Sequence, residues 1–345
     1  MTQTLKTSER LGVVDALRGF ALLAIVLLHN LEHYNLFLVP ENVPAWLQTI
    51  DKYAWDILFF LFAQLHALFY NGDILLLYAV VGFALIPVCK LKDKTVFWIA
   101  LILLLQPYEW GRAIYAMINP DYVVSTGHFM PYAMRAQEAT ANGNFFEVLC
   151  SNISDGQLYS NIWQVENGRL FQTAALFMFG MLLGRRKYLI KSEESVRFWK
   201  KMLKGVVLAF IPLYCLKTFV PDLLTNPSVQ IPYKIAVPSY ANFAFMIILV
   251  SIFTLLWFKK EKGYGWQSLL IPYGRMSLTN YISQSIMGVI IYYGFGLAMY
   301  KYAGATASLL IALLIFTVQL IFSRWWLARH KQGPLEFLWR KGTWI

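Results

Sequence analysis

Apolar runs long enough to cross a lipid bilayer recur along this chain, separated by short segments rich in lysine and arginine. Candidate spans fall at about 12–34, 54–70, 73–89, 95–106, 170–184, 205–217, 240–258, 277–296 and 305–323. A helix needs about 20 residues to cross ~30 Å of hydrocarbon, and only a structure that satisfies its own backbone groups is stable there. The pattern predicts an all-α fold, a polytopic transmembrane helical bundle of about 8–10 spans. Three regions follow from it. They are an N-terminal transmembrane region over 1–106, an extracytoplasmic loop over 107–169 and a C-terminal transmembrane region over 170–345. The middle region carries Pro107, Pro120, Pro131 and several glycines, and a polar connection of that length is usually functional. It is expected to be a lid or an acceptor-binding element.

Composition supports the membrane class, with 58% hydrophobic and only 14% charged residues and a mean hydropathy of +0.50. The net charge of +11 sits beside the apolar runs. It gathers at Lys6 and Arg10, at Lys90 to Lys94, from Arg185 to Lys204, from Lys259 to Lys262, at Arg275, and from Arg324 to Lys341. Positive-inside topology accounts for this better than a nucleic-acid partner and puts both termini in the cytoplasm. Nine spans cannot return a chain to its starting side. The conflict lies between Trp55 and Lys90 and predicts a missing or non-spanning segment near Ala63–Gln64. From Lys191 to Lys204, basic and apolar residues mix at helical spacing, which predicts an interfacial helix. Cys89, Cys150 and Cys215 are too scattered for a disulfide framework or a metal knuckle. Asp15 and Arg18 break the first apolar run as a cleaved signal peptide would not, so it is read as a retained helix.

That first helix carries the candidate chemistry. Asp15, Arg18, His29, Glu32 and His33 share one face at about 100° per residue, and Arg18 and His29 lie about 16 Å apart along the axis. Ionisable groups at membrane depth usually face a bundle interior or a functional path. A carboxylate such as Glu32 beside His29 would suit general base catalysis, and a hydrogen-bonded polar cap is the plainer alternative. His29-x-x-Glu32-His33 also matches an inverted zinc-protease motif, but no third ligand lies nearby, and no metal is expected. Asp15 and Arg18, three apart, form either a structural ion pair or a cationic site for an anionic ligand. His66 and Asp73 bracket a turn and are candidate substrate contacts, with packing and helix capping as the alternatives. Ser277, Asn280, Gln284 and Gly288 make one polar stripe, suited to bridging helices or to lining a tunnel. His128 and His330 stand alone and receive no role.

Asp15-Ala-Leu-Arg-Gly19, Gly72-Asp-Ile-Leu-Leu-Leu-Tyr78, Gly274-Arg-Met-Ser-Leu-Thr-Asn-Tyr281 and Gly333-Pro-Leu-Glu336 together resemble the YeiB-like family of bacterial membrane proteins. The resemblance spans nearly the whole chain and implies a bacterial cytoplasmic (inner) membrane location. YeiB-like proteins usually carry a further span between the Phe59-Phe-Leu-Phe62 and Gln64-Leu-His66 regions, which this chain joins directly. The Asp-x-x-Arg-Gly helix also resembles, more distantly, the sugar O-acetylating membrane acyltransferases and the heparan-α-glucosaminide N-acetyltransferase group. In the O-acetylating kind a histidine follows the glycine by ten positions, as His29 follows Gly19 here.

That resemblance implies acyl transfer from cytosolic acyl-CoA, acetyl-CoA in the first instance, to an extracytoplasmic small molecule or glycan. His29 would be the base, oriented by Glu32. Arg18, Asp15 and Arg275 would serve the CoA end, and His33, His66, Asp73, Asn280 and Gln284 the acceptor. The lipid bilayer is the expected partner, with self-association compatible. A proton-coupled solute transporter and a non-catalytic scaffold are the alternatives.

Overall fold

Helices make up every regular element among the residues that the computed structural model describes, which are 11–31, 74–260 and 263–343. The first is α1 (Gly12–Leu31), followed by α2 (Ile74–Val88) and α3 (Asp93–Leu104). Next come α4 (Pro107–Ile118), α5 (Met130–Asn142), α6 (Phe145–Ser151) and α7 (Gln157–Glu166), with a π turn at Asn152–Gly156. The rest are α8 (Arg169–Arg185), α9 (Glu193–Phe219), α10 (Pro227–Lys259), α11 (Gly265–Arg275), α12 (Ser277–Tyr292), α13 (Ala305–Leu327) and α14 (Pro334–Thr343).

Among the described residues, α1, α9 with its following turn, α10 and α13 are long and apolar enough to cross a membrane. The other expected spans there are shorter helices, from the 12 residues of α3 to the 17 of α8. The interfacial helix expected over Lys191–Lys204 and the span expected at 205–217 are one continuous helix, α9. Its start is set by Ser192, whose Oγ accepts from Ser195 N at 3.0 Å, with Glu193 and Glu194 in the first turn. No stop signal follows Lys204, and Pro212 is carried inside the helix.

The connection over 107–169 is largely helical. Two of the three prolines that suggested a loop instead begin helices, Pro107 opening α4 and Pro131 lying in the first turn of α5, while Pro120 lies in a turn. Proline suits that position because its missing N–H would have no intrahelical partner there. Asn144 and Glu147 form a reciprocal capping box at the start of α6.

Helix α1 lies against α10, α11, α12 and α13. Val13 and Ala16 pack with Phe253 of α10 and Leu270 of α11, and Leu22 and Ile25 pack around Tyr273. Elsewhere α9 pairs with α10, and α3 pairs with α8 through Val96, Ala100 and Met178. Apolar side chains such as Leu208 and Leu314, 74% and 64% exposed, point away from the protein on α9 and α13. Such faces are compatible with lipid contact.

Candidate functional site

Two glycines bring the first of the sequence motifs onto the third. Gly19 of α1 lies against the carbonyl of Leu270, where a Cβ would sit 2.3 Å from the oxygen. A Cβ on Gly274 of α11 would lie 1.7 Å from the carbonyl oxygen of Asp15 and 2.7 Å from Gly19 N. The backbones meet there because neither residue has a side chain. Asp15-Ala-Leu-Arg-Gly19 and the start of Gly274-Arg-Met-Ser-Leu-Thr-Asn-Tyr281 are therefore the two halves of one helix crossing. Arg18 and Arg275 flank it.

At this crossing Asp15 is buried while Arg18 reaches out. Arg18 Nη1 donates to Asp15 Oδ1 at 3.3 Å, with side-chain exposures of 55% and 3%. Three turns further along α1, His29 is 0% exposed, beside buried Asn30, whose Nδ2 donates to the Val26 carbonyl at 2.7 Å. The N-terminal end of α1 packs against the segment that leads into a cationic groove. Leu189 packs with the Val13 and Ala16 cluster, and two residues on begins a groove of about 640 Å³ lined by Lys191, Ser192, Glu193, Val196, Arg197 and Lys200.

A continuous hydrogen-bond network joins α11, α12, α13 and α14. Tyr273 donates through its hydroxyl to Gln319 Oε1 at 2.9 Å, and Gln319 Nε2 donates to Asn280 O at 2.9 Å and Ser283 Oγ at 2.7 Å. Asn280 Nδ2 donates to Tyr273 O at 2.9 Å and to Ser323 Oγ at 3.0 Å. Asn280 thus bridges helices, the glue role that its place in the polar stripe allowed. Gln284, one turn on, is fully buried.

The fourth motif completes the assembly. Glu336 Oε1 accepts from Leu278 N at 2.7 Å and Thr279 N at 3.1 Å, and its Oε2 accepts from Thr279 Oγ1 at 2.6 Å. A carboxylate from α14 therefore caps the N-terminus of α12, where free N–H groups and the helix dipole favour negative charge. Arg275 Nη2 donates to the Lys331 carbonyl at 2.9 Å, tying the same C-terminal segment to the crossing. Sequence reading gave Glu336 no role, since a cap supplied by a distant segment leaves no local spacing to recognise.

Glu32, His33, His66 and Asp73, and the junction at Ala63–Gln64, lie outside the described residues. Of the expected site, the described residues bring Asp15, Arg18 and Arg275 to one crossing and set His29 deeper on the same helix. Among the described residues no group of three or more His, Cys, Asp or Glu could hold a metal ion.

Residues 183–345 match the family described as "Protein of unknown function (DUF418)". "Uncharacterized protein YxaH" of Bacillus subtilis (strain 168) is 26% identical over 405 aligned residues, covering 98% of this chain and 95% of that protein. "Uncharacterized 39.9 kDa protein in amylase 3'region" of Bacillus acidopullulyticus is 26% identical over 375, covering 97% of this chain and 94% of its own. "Uncharacterized protein YeiB" of Escherichia coli (strain K12) is 24% identical over 395, covering 97% and 96%. No solved structure matches.

Proposed function

We propose, from the premise that this chain belongs to the YeiB-like family, that it transfers an acyl group from cytosolic acyl-CoA to an extracytoplasmic hydroxyl or amine in a bacterial cytoplasmic membrane. The observation that carries the reading is the polarity of α1, with a half-exposed Arg18 paired to buried Asp15 toward one end and the interior His29 about 16 Å along.

The CoA phosphates would be met by Arg18, Arg275 and the groove lysines and arginine. His29 would accept the proton of the acceptor as it attacks the thioester carbonyl; the C–S bond would then break and the CoA sulfur leave with that proton from His29, with Glu32 holding the ring. His33, His66, Asp73, Asn280 and Gln284 would frame the acceptor, a small molecule or glycan.

The transporter reading would draw on the break between α11 and α12 at buried Met276, since interrupted helices build solute sites. The α12 end of that break is already filled by the Glu336 carboxylate, so it offers no free N-terminus to an anionic solute. Acyl transfer is therefore the preferred reading.

The test is binding and turnover of radiolabelled acetyl-CoA by purified protein. Arg18→Ala should weaken binding, and His29→Ala should lower turnover by about 100-fold or more while leaving binding intact. No CoA binding by the unsubstituted protein, or indifference to both substitutions, overturns the proposal.

A further inference from the structure

His128 has a place in a second constellation, remote from α1. It sits in the segment between α4 and α5, and its Nε2 lies 2.7 Å from Ser125 Oγ. On the other side of the ring, Nδ1 pairs with Glu166 Oε1 at the end of α7. A serine and a histidine three residues apart often meet in a turn and signify little. The carboxylate arriving from 38 residues away changes that. It fixes the ring so that Nδ1–H faces Glu166 and Nε2 is left to accept the Ser125 proton, the order of serine, base and orienting acid used for acyl transfer.

The surroundings hold these three groups in place. Glu166 closes a helix at its C-terminal end, where the dipole disfavours a carboxylate, so its position depends on donors supplied by the opposing turn. It accepts from Gly127 N at 3.0 Å and His128 N at 3.1 Å. That turn requires Gly127 at φ +82°, in the left-handed region. Next to Ser125, Val124 N donates to Ser228 Oγ of α10 at 3.1 Å, and Arg112 Nη2 donates to the Ser125 carbonyl at 3.0 Å. Arg112 is itself held at 3.1 Å by Glu109, a carboxylate that burial pushes above its usual range and Arg112 pulls back.

Three elements besides its own segment thus position the serine. Val123 and Met130, just outside Ser125 and His128, are 78% and 53% exposed and offer an apolar border.

We propose that Ser125, His128 and Glu166 form a serine-nucleophile site for carboxylic esters with an apolar acyl chain. Ser125 Oγ attacks the ester carbonyl carbon as His128 Nε2 takes its proton. The tetrahedral adduct collapses, the C–O bond to the alcohol breaks, and the departing oxygen takes the proton from His128. Water then attacks the acyl-serine, gives its proton to His128, and releases the carboxylic acid as Ser125 Oγ regains that proton. The alcohol and the acid are the products, with no redox change. The site uses no residue of α1, so it stands or falls separately from the CoA reading.

The full-length protein in detergent micelles is treated with a fluorescent alkyl fluorophosphonate. One adduct is expected, mapped by peptide mass to Ser125, absent in Ser125→Ala and slower by about 100-fold in His128→Ala. Glu166→Gln should slow it by about 10-fold or more. Ser154→Ala, on the exposed π turn, should label as the unsubstituted protein does. To separate lost chemistry from lost folding, Ser125→Cys is compared with and without His128→Ala. The introduced thiol should react with iodoacetamide at neutral pH about 10-fold faster when His128 is present. An unlabelled unsubstituted protein, labelling that survives Ser125→Ala, or equal thiol rates in the two backgrounds overturns the proposal.

Discussion

Gly274 has no space for even one added carbon, because the Asp15 carbonyl occupies the place a Cβ would take. Backbone on both sides makes the clash hard to relieve, unlike one against a flexible side-chain end. Gly274→Ala is expected to lower stability by about 1–3 kcal/mol or more, read as a fall in the unfolding midpoint in detergent. Gly205 in α9 is the control, with nothing within 4 Å of the place its Cβ would take. Gly205→Ala should leave stability unchanged or raise it by up to about 1 kcal/mol, since alanine has the better helix propensity. Equal midpoints for the two variants would contradict the close crossing. Glu336 tests the same assembly from the other side. Its carboxylate takes two N–H groups and a hydroxyl, so Glu336→Ala leaves the start of α12 uncapped and should cost about 1–3 kcal/mol. A Glu336→Ala midpoint equal to that of the parent would remove the cap from the account.

Between elements, charge adds to the apolar packing of Val96, Ala100 and Met178 at the junction of α3 with α8. Asp93, in the first turn of α3, receives Arg185 Nη1 at 3.1 Å and Arg186 Nε at 2.9 Å, while Arg185 also donates to the Cys89 and Leu91 carbonyls at 2.6 and 3.0 Å. The hydrogen bond from Arg185 is the main reason the Asp93 carboxyl lies below its usual range; desolvation opposes it, and Arg186 adds a further, smaller pull downward. A depressed acid stabilises the fold above its ordinary value and loses that contribution as pH falls through the folded value. The junction should therefore be indifferent to pH from neutrality down to about 4 and weaken only below. Asp93→Asn should lower the midpoint at pH 7 and flatten the acid limb; an acid limb of unchanged size would exclude this pair as its source. Helix-level pattern was legible where apolar length decides it, as in α1, α10 and α13. It failed over 107–169, because proline marks helix starts as well as loops and its local spacing does not say which. The four motifs were visible as words, but Gly19 meets Gly274, and Glu336 meets Thr279, only through packing between segments far apart in sequence. His128 looked solitary for the same reason, its carboxylate partner being 38 residues away.

Over the whole molecule, contacts between basic segments bear on topology. Arg185 reaches the carbonyls of the Cys89–Leu91 turn, and Arg275 reaches that of Lys331, so segments expected on one side of the membrane meet in pairs. Such meetings are compatible with each pair sharing one face, as the positive-inside rule expects for basic segments. The parity conflict runs between Trp55 and Lys90, and its part up to residue 73, with the junction at Ala63–Gln64, lies outside the described residues. The alignment with YxaH runs over 405 residues, more than the 345 of this chain, so that protein carries residues with no counterpart here. The span expected near Ala63–Gln64 is one place where such residues could lie. The consequence is a definite map. Fluorescent-protein fusions after Lys94, Lys200, Lys260 and Lys341 should glow, and alkaline phosphatase fusions after Gly143 and Ala303 should be active. Between Lys52 and Lys94 the number of crossings must be odd if both ends keep their sides, so a fusion after Gly72 decides which apolar segment crosses. Phosphatase activity there leaves 73–89 as the crossing, fluorescence assigns it to 54–70, and phosphatase activity after Lys94 would defeat the charge-based topology altogether.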